Sequence, residues 1–407
     1  MRILIVVHFF VVFSVNAESV HESAKVFAQT GAANDLYGFS SVIYKDRILV
    51  GALRQKHIKT GKDTGVAFVY RLAEGQWQPE TFPVPEDLQS KDGFGGKLAL
   101  HEDIAAIGAI GYDRAAQDGG VVFVFQNINN QWREVTRITA PDARTGDSFG
   151  QAVAISENIL IVGAPKDDDK GDDAGSVYVF TAVGESWQLQ QKLTAPDGAA
   201  GDVFGISLAF SENTILIGAD LNDEKANNAG AAYVYVKQGN QWQLQAKLMA
   251  DDAGDTDIFG VRVAIDGDTA LISARRDDDE VVGKDSGSAY VFKRKGKTWH
   301  QEAKLVGPTQ QADDRFGRSV ALVGDTALIG AMHKDYIGEN AGAAYIFKRT
   351  GSTWSHTQTL VASDGKAGDQ LGWSAALSAD YAILGAVKHA SKEERSGAAY
   401  VFEIEEK

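Results

Sequence analysis

A seven-bladed β-propeller is the architecture this sequence predicts, and three observations carry the prediction. A dipeptide ending in glycine recurs at Tyr37-Gly38, Phe94-Gly95, Phe149-Gly150, Phe204-Gly205, Phe259-Gly260, Phe316-Gly317 and Leu371-Gly372, in steps of 57, 55, 55, 55, 57 and 55 residues. A second marker follows each at a constant distance: Gly51-Ala52, Gly108-Ala109, Gly163-Ala164, Gly218-Ala219, Ser273-Ala274, Gly330-Ala331 and Gly385-Ala386. The last repeat stops at Phe402 short of its fourth strand, whereas "AKVF" near the start stands in that strand's register. Periods of this kind belong to solenoids and propellers. A permuted terminal strand has a use only where a ring must close.

Each repeat reads as four short strands, a to d. In the third, "FGQAVAI" is strand a, "ILIVGA" strand b, "GSVYVF" strand c and "WQLQQKL" strand d. Val, Ile, Tyr and Phe fill these runs and turn residues punctuate them. The a–b connections "KDR", "HED", "SEN", "SEN", "DGD", "GDT" and "SAD" carry the Asp, Asn and Gly of tight hairpins. Strands a and c are apolar or small on both faces, so each sheet is expected to be covered on two sides by its neighbours in a ring. The small residues of strand a suit the crowded axis. A tryptophan opens strand d in six repeats, at Trp77, Trp132, Trp187, Trp242, Trp299 and Trp354. Lys25 lies twelve residues before Tyr37, as Lys192 lies twelve before Phe204, which sets "AKVF" in blade seven as its outer strand.

Before the first repeat, Arg2, an apolar run from Ile3 to Phe13 and the small residues around Val15-Asn16-Ala17 predict a secretory signal peptide over 1–17. The run is shorter than the roughly 20 apolar residues a membrane span needs. No later segment is long and apolar enough to cross a bilayer. Residues 18–407 are then a single propeller, exported to the periplasm, the cell surface or the medium, and expected to be a monomer. Cysteine is absent, which excludes disulfides and a lipidated thiol. Without the leader, 39 basic residues stand against 55 acidic ones. That charge repels nucleic acid and anionic lipid and favours cations or basic partners.

The four markers resemble FG-GAP repeats, the units of the integrin alpha-subunit propeller, and most closely the bacterial-type repeats with motifs such as "FGQAVAI", "LIVGAP" and "GSVYVF". The resemblance covers residues 24–404. It implies ligand or partner binding through one face, with calcium in several blades. The integrin-type calcium loop, Asp-x-Asp-x-Asp-Gly-x-x-Asp before the Gly-Ala-Pro segment, is missing. "SENIL", "SENTIL" and "DGDTAL" stand there, too short and with too few carboxylates for Ca²⁺.

Candidate binding residues lie where the blades differ. The b–c loops and the d-to-a connections emerge on one face. There the third to fifth blades are acidic, with Asp167, Asp168 and Asp169 in "PKDDDKGDDA", Asp220, Asp223 and Glu224 in "DLNDEKANN", and Asp277, Asp278 and Asp279 in "RRDDDEVVGKDS". This arc reads as a divalent-cation or basic-partner site, or as a solvated rim. Blade one is basic across Arg54, Lys56, Lys59 and Lys62. Blades six, seven and one bring His333, His389 and His57 beside Lys388 and Arg54, a set able to hold a metal or an anionic sugar, or to serve acid–base chemistry. Phe39 and Trp373 place aromatics near the axis for stacking. An aspartate two residues before every opening dipeptide (Asp35, Asp92, Asp147, Asp202, Asp257, Asp314, Asp369) reads as a structural acceptor in the turn into strand a. No nucleophile elbow, phosphate loop or His-Glu-x-x-His motif is present. The function expected is an exported, non-catalytic recognition or adhesion propeller that binds an extracellular or periplasmic protein or glycan through its loop face. The alternatives are a carbohydrate lyase or hydrolase using the blade six–seven–one sector, and an envelope scaffold.

Overall fold

The computed structural model describes residues 19–184 and 186–404, which are strands, turns and loops without a helix. The leader expected over residues 1–17 lies outside the described residues. Seven sheets follow one another along the chain, each with four antiparallel strands ordered a-b-c-d. In blade three the strands are Ala152–Ile155, Ile159–Ala164, Ser176–Val183 and Ser186–Leu193. The b strands of blades three to five are buried along their whole length, because both faces are covered. The core lies between blades: one apolar cluster joins Ile161 and Val179 of blade three to Ile217 and Tyr233 of blade four.

The ring closes as the permuted strand predicts. β2 (Ala24–Val26) pairs antiparallel with strand c of blade seven (Ala398–Glu403), setting Ala24 opposite Val401, Lys25 opposite Tyr400 and Val26 opposite Ala399. The segment just before it adds a feature that the repeat pattern does not encode. β1 (Ser19–Val20) pairs parallel with strand d of blade six (Thr353–Leu360), opposite Thr359 and Leu360. Glu22 then accepts hydrogen bonds from the Ser363 backbone N–H at 2.9 Å and its hydroxyl at 2.7 Å. The N-terminal segment thus caps the open edge of one blade and completes the next.

The two glycine markers explain each other. The opening glycine holds positive φ, +83° to +96° in blades one to six as sampled by Gly95 and Gly205, and its carbonyl points at the Gly-Ala glycine of the preceding blade. A Cβ on Gly51 would stand 1.9 Å from the Gly95 carbonyl oxygen, one on Gly163 2.1 Å from that of Gly205, and one on Gly385 2.0 Å from that of Gly38. A side chain there would have to push the facing backbone away, which favours glycine at this seam. Blade five carries Ser273 instead, and its hydroxyl turns back to the Arg262 carbonyl at 3.3 Å.

The tryptophans clamp the outer strands. Strands c and d slip register at a bulge in blades two to six, leaving Gln190, Gln245 and Glu302 unpaired in blades three to five. The indole N–H of the next blade donates to these residues: Trp242 to Gln190 at 3.4 Å, Trp299 to Gln245 at 2.9 Å and Trp354 to Glu302 at 3.1 Å. At the closing seam Trp77 packs edge-on against Tyr381 at 5.5 Å.

All seven recurring aspartates are buried, and each accepts the backbone N–H three residues before it, from Ala32 to Asp35 at 2.7 Å through Lys366 to Asp369 at 2.8 Å. Burial pushes Asp92 and Asp257 up to about 6, and the N–H bonds from Gln89 and Gly254 only partly oppose it. Burial also pushes Asp220 up to about 6, against the nearby arginines 262, 275 and 276. An acid whose folded pKa is raised binds more protons folded than unfolded, so stability climbs as pH falls from 7 through 6. Asp142, Asp167, Asp197 and Asp252 work in the opposite direction. Burial alone would raise them, but their lysine partners hold them below the ordinary range. Their contribution is lost as pH falls through those lowered values. Urea unfolding between pH 3 and pH 8 is therefore expected to show maximal stability near about pH 5, and a maximum at pH 7 or above would contradict these carboxyl environments.

Candidate functional site

One position organises the loop face. Three residues after the alanine of each Gly-Ala marker stand Gln55, Tyr112, Asp167, Asn222, Asp277, Lys334 and His389, all buried and all polar. Most are met by a cation from strand d. Lys192 lies 2.8 Å from both Asp142 and Asp167 and also bonds Asp169. Lys304 meets Asp277 at 2.8 Å and Asp252 at 2.6 Å. Lys247 meets Asn222 at 3.1 Å and Asp197 at 2.6 Å. Arg137 donates to the Tyr112 hydroxyl at 3.0 Å. In blade six the loop supplies the cation itself: Lys334 bonds Asp314 at 3.1 Å, and Thr359 occupies the strand d position.

The acidic arc therefore has an inner and an outer layer. Asp167 also accepts from Ser176 at 2.8 Å and Tyr178 at 2.9 Å, and Asp277 from Ser288 at 2.6 Å and Tyr290 at 3.0 Å. An ammonium group already fills the centre of each inner cluster, where a divalent ion would have to sit. Asp168 and Asp278 build their loops by accepting the N–H of Asp173 at 2.9 Å and Asp285 at 2.7 Å. The same turn recurs at Asp113, Asp223 and Asp335, which marks it as structural. Asp279 caps Val281 and Val282, and Asp169 is paired with Lys192. Among the described residues, the exposed group whose carboxylate oxygens lie within 4.8 Å of one another is Asp168, Asp172 and Asp173.

The three histidines do not form a ligand group among the described residues. His57 is buried, its Nδ1 accepting from the Lys59 and Thr60 N–H groups at 3.3 and 3.2 Å while Nε2 donates to the Val84 carbonyl at 3.3 Å. His389 donates from Nδ1 to Asp369 at 2.7 Å and accepts from Lys25 at 2.8 Å. His333 meets Asp313 at 3.3 Å and shares a cleft with Lys388 between blades six and seven. Arg54 and Lys56 are exposed on blade one. The sector offers separate loop-building imidazoles, one at each of three different offsets from its marker, which is why sequence proximity in the ring does not bring them together.

Two features of this face carry no repeat-wide structural role. The tips of the b–c loops present apolar side chains to water: Val281 is 94% exposed and Ile58 86%, with Tyr336 and Ile337 also exposed on blade six. The axial channel, bounded by the a strands of all seven blades, holds a cavity of about 230 Å³. Phe39 and Trp373 line it, their ring centroids 5.6 Å apart. Sequence reasoning missed the cations there. Lys97 and Arg262 stand where blades one, four, six and seven carry Ser40, Ser207, Ser319 and Ser374. Arg318, one residue earlier in its strand, lays its guanidinium 3.9 Å from the Trp373 ring. The departure from serine was a visible signal, though only the ring shows that the three side chains share one space.

A closed ring of seven blades, each locked to the next by its paired glycines, defines a propeller of the FG-GAP type. The family model for the FG-GAP repeat matches residues 20–70, 77–125, 132–180, 187–235, 242–292, 299–347 and 354–402, and the chain belongs to that family. Each matched unit runs from strand d of one blade through strand c of the next, which is the permutation that closes the ring. The chain is also similar to human integrin alpha-11, 26% identical over 224 residues that cover 49% of this chain and 18% of the integrin. No helix of the described residues is long and apolar enough to cross a membrane.

Proposed function

We propose that this protein is an exported, non-catalytic recognition propeller that binds a protein or glycan partner through the face of its b–c loops. The exposed apolar tips carry this reading. Val281, Ile58, Tyr336 and Ile337 stand in water on loops with buried polar bases, and exposed apolar side chains on one face mark interaction surfaces. The acidic residues beside Val281 favour a partner with basic groups next to its own apolar surface. Membership of the FG-GAP family and the similarity to an integrin alpha chain support binding over catalysis. In the histidine sector, the best candidate for an enzyme site, His57 and His389 are engaged in buried hydrogen bonds, which favours binding over catalysis. A cation role for the arc rests on Asp168 with Asp172 and Asp173, since lysines occupy the clusters of Asp167 and Asp277.

The mature chain should retain ligands from arrays of envelope glycans and surface proteins, with retention lost in an Ile58→Asp/Val281→Asp variant. A Val183→Asp variant, altered on the opposite face, should bind as the wild type does. Running the array with calcium and with chelator reads the contribution of the outer carboxylates. Retention that survives the loop-face changes would place recognition elsewhere.

A further inference from the structure

We propose that the loop-face end of the axial channel binds a small oxyanion of the phosphate class, held by Lys97, Arg262 and Arg318. Three observations converge on this space. The three side chains line one cavity of about 230 Å³, and among the described residues none forms an ion pair. Arg318 is only 7% exposed, and its buried Nε has no hydrogen-bond partner. Its guanidinium is fixed by stacking on Trp373, which Phe39 backs in turn. An arginine held against an aromatic ring at the wall of a cavity that two further cations line is preorganised for a planar or tetrahedral oxyanion.

The substitutions responsible give up a tie between blades, and only Arg262 gains a bond in return, to the neighbouring Val261 carbonyl at 2.7 Å. Where serine stands at the Lys97 and Arg262 position, its hydroxyl ties neighbouring blades by donating to a glycine carbonyl: Ser40 to Gly95 at 2.6 Å, Ser207 to Gly260 at 2.7 Å, Ser319 to Gly372 at 2.8 Å and Ser374 to Gly38 at 2.8 Å. Lys97 and Arg262 give up that bond and bring like charges together. Burial, then Arg262 and Arg318, drive Lys97 well below the ordinary lysine range. Burial, then Arg262 and Arg275, act likewise on Arg318. Asp220 counters Arg262 electrostatically without an ion pair. An anion in the channel offsets the repulsion among the three cations. The cavity is large enough for a compact oxyanion with residual water and too small for an oligosaccharide or a folded segment.

The test is calorimetric titration of the mature protein with inorganic phosphate, with chloride at matched ionic strength as reference and thermal unfolding as second readout. Saturable binding and a midpoint rise of several degrees are expected, because a ligand of the folded state alone must stabilise it. Lys97→Met and Arg318→Gln should each weaken phosphate by about tenfold or more, and Lys97→Met should melt higher than wild type without phosphate because a repelling charge is gone. Glucose 6-phosphate tells a free oxyanion from a terminal phosphoryl group: exclusion means the former, equal binding the latter, and either keeps the site. No heat and no shift beyond chloride overturns the proposal. So do equal shifts in wild type and both variants, which would report a general salt effect.

Discussion

Gly385→Ala is expected to cost at least about 3 kcal/mol of folding stability, and Gly385→Val to abolish the closed ring. The new Cβ would lie 2.0 Å from the Gly38 carbonyl oxygen, 2.9 Å from the Gly38 carbonyl carbon and 2.5 Å from the Ser374 hydroxyl. Two of these atoms are backbone and cannot rotate away. The clash falls at the seam between blades seven and one, where the Ser374 hydroxyl also ties the blades by bonding the Gly38 carbonyl. Moving the seam apart exposes the buried faces of both blades, so the loss should be cooperative rather than local. Urea unfolding followed by tryptophan fluorescence and by circular dichroism measures it. Gly239→Ala sets the scale: that hairpin glycine has φ of +62° and nothing within 4 Å of its Cβ position. Its substitution should cost about 1 kcal/mol, from backbone strain alone. Ser273→Gly should also stay within about 1 kcal/mol, since that seam already admits a side chain. Equal costs for Gly385→Ala and Gly239→Ala would refute the interlock.

Lys192→Met comes next, with an expected loss of about 2–3 kcal/mol at pH 7. Removing the ammonium leaves Asp142, Asp167 and Asp169 facing one another with carboxylate oxygens within 4.8 Å, and Asp167 is buried. The outer two are partly exposed, which keeps the estimate at or below the low end for a broken buried pair. The pH dependence gives the sign. Asp142 and Asp167 are held below the ordinary carboxyl range against their burial, so the lysine's contribution is complete above the unfolded pKa of about 4 and fades as pH falls through the lowered values. The difference between wild type and variant should therefore be large at pH 7 and small near pH 3. A second consequence follows from the vacated centre: three converging carboxylates with no cation among them are a hard-ion ligand set. Millimolar Ca²⁺ should raise the unfolding midpoint of Lys192→Met more than that of the wild type. A variant as stable as wild type at pH 7, or one with no added response to Ca²⁺, would show that the lysine does not stand in for a metal.

These results bear on what the loops are for. The inner carboxylates and the histidines hold the b–c loops in shape, and the loops in turn hold Ile58, Val281, Tyr336 and Ile337 out in water. Asp168 shows that a residue of the acidic run also has a structural task. Its place in an acidic run suggests a ligand, whereas the same residue type at the same turn in blades two, four, five and six shows a carboxylate satisfying a loop N–H.

Sequence alone determined the ring. Glycine fits best where backbone meets backbone, so the paired markers recur around the ring, with Ser273 the one departure, and the displaced "AKVF" strand had to return to complete blade seven. Such constraints are local and periodic, and periodicity is visible in one dimension. Only the tertiary structure decided which charges meet. Lys192 reaches Asp142 across 50 residues, Lys25 reaches His389 across 364, and Lys97, Arg262 and Arg318 come from three separate blades into one channel. Contacts between such distant positions depend on where the ring places each strand: the Lys192–Asp142 pair recurs as Lys247–Asp197 and Lys304–Asp252, but its period does not reveal that the two positions touch, and the channel cations break the period.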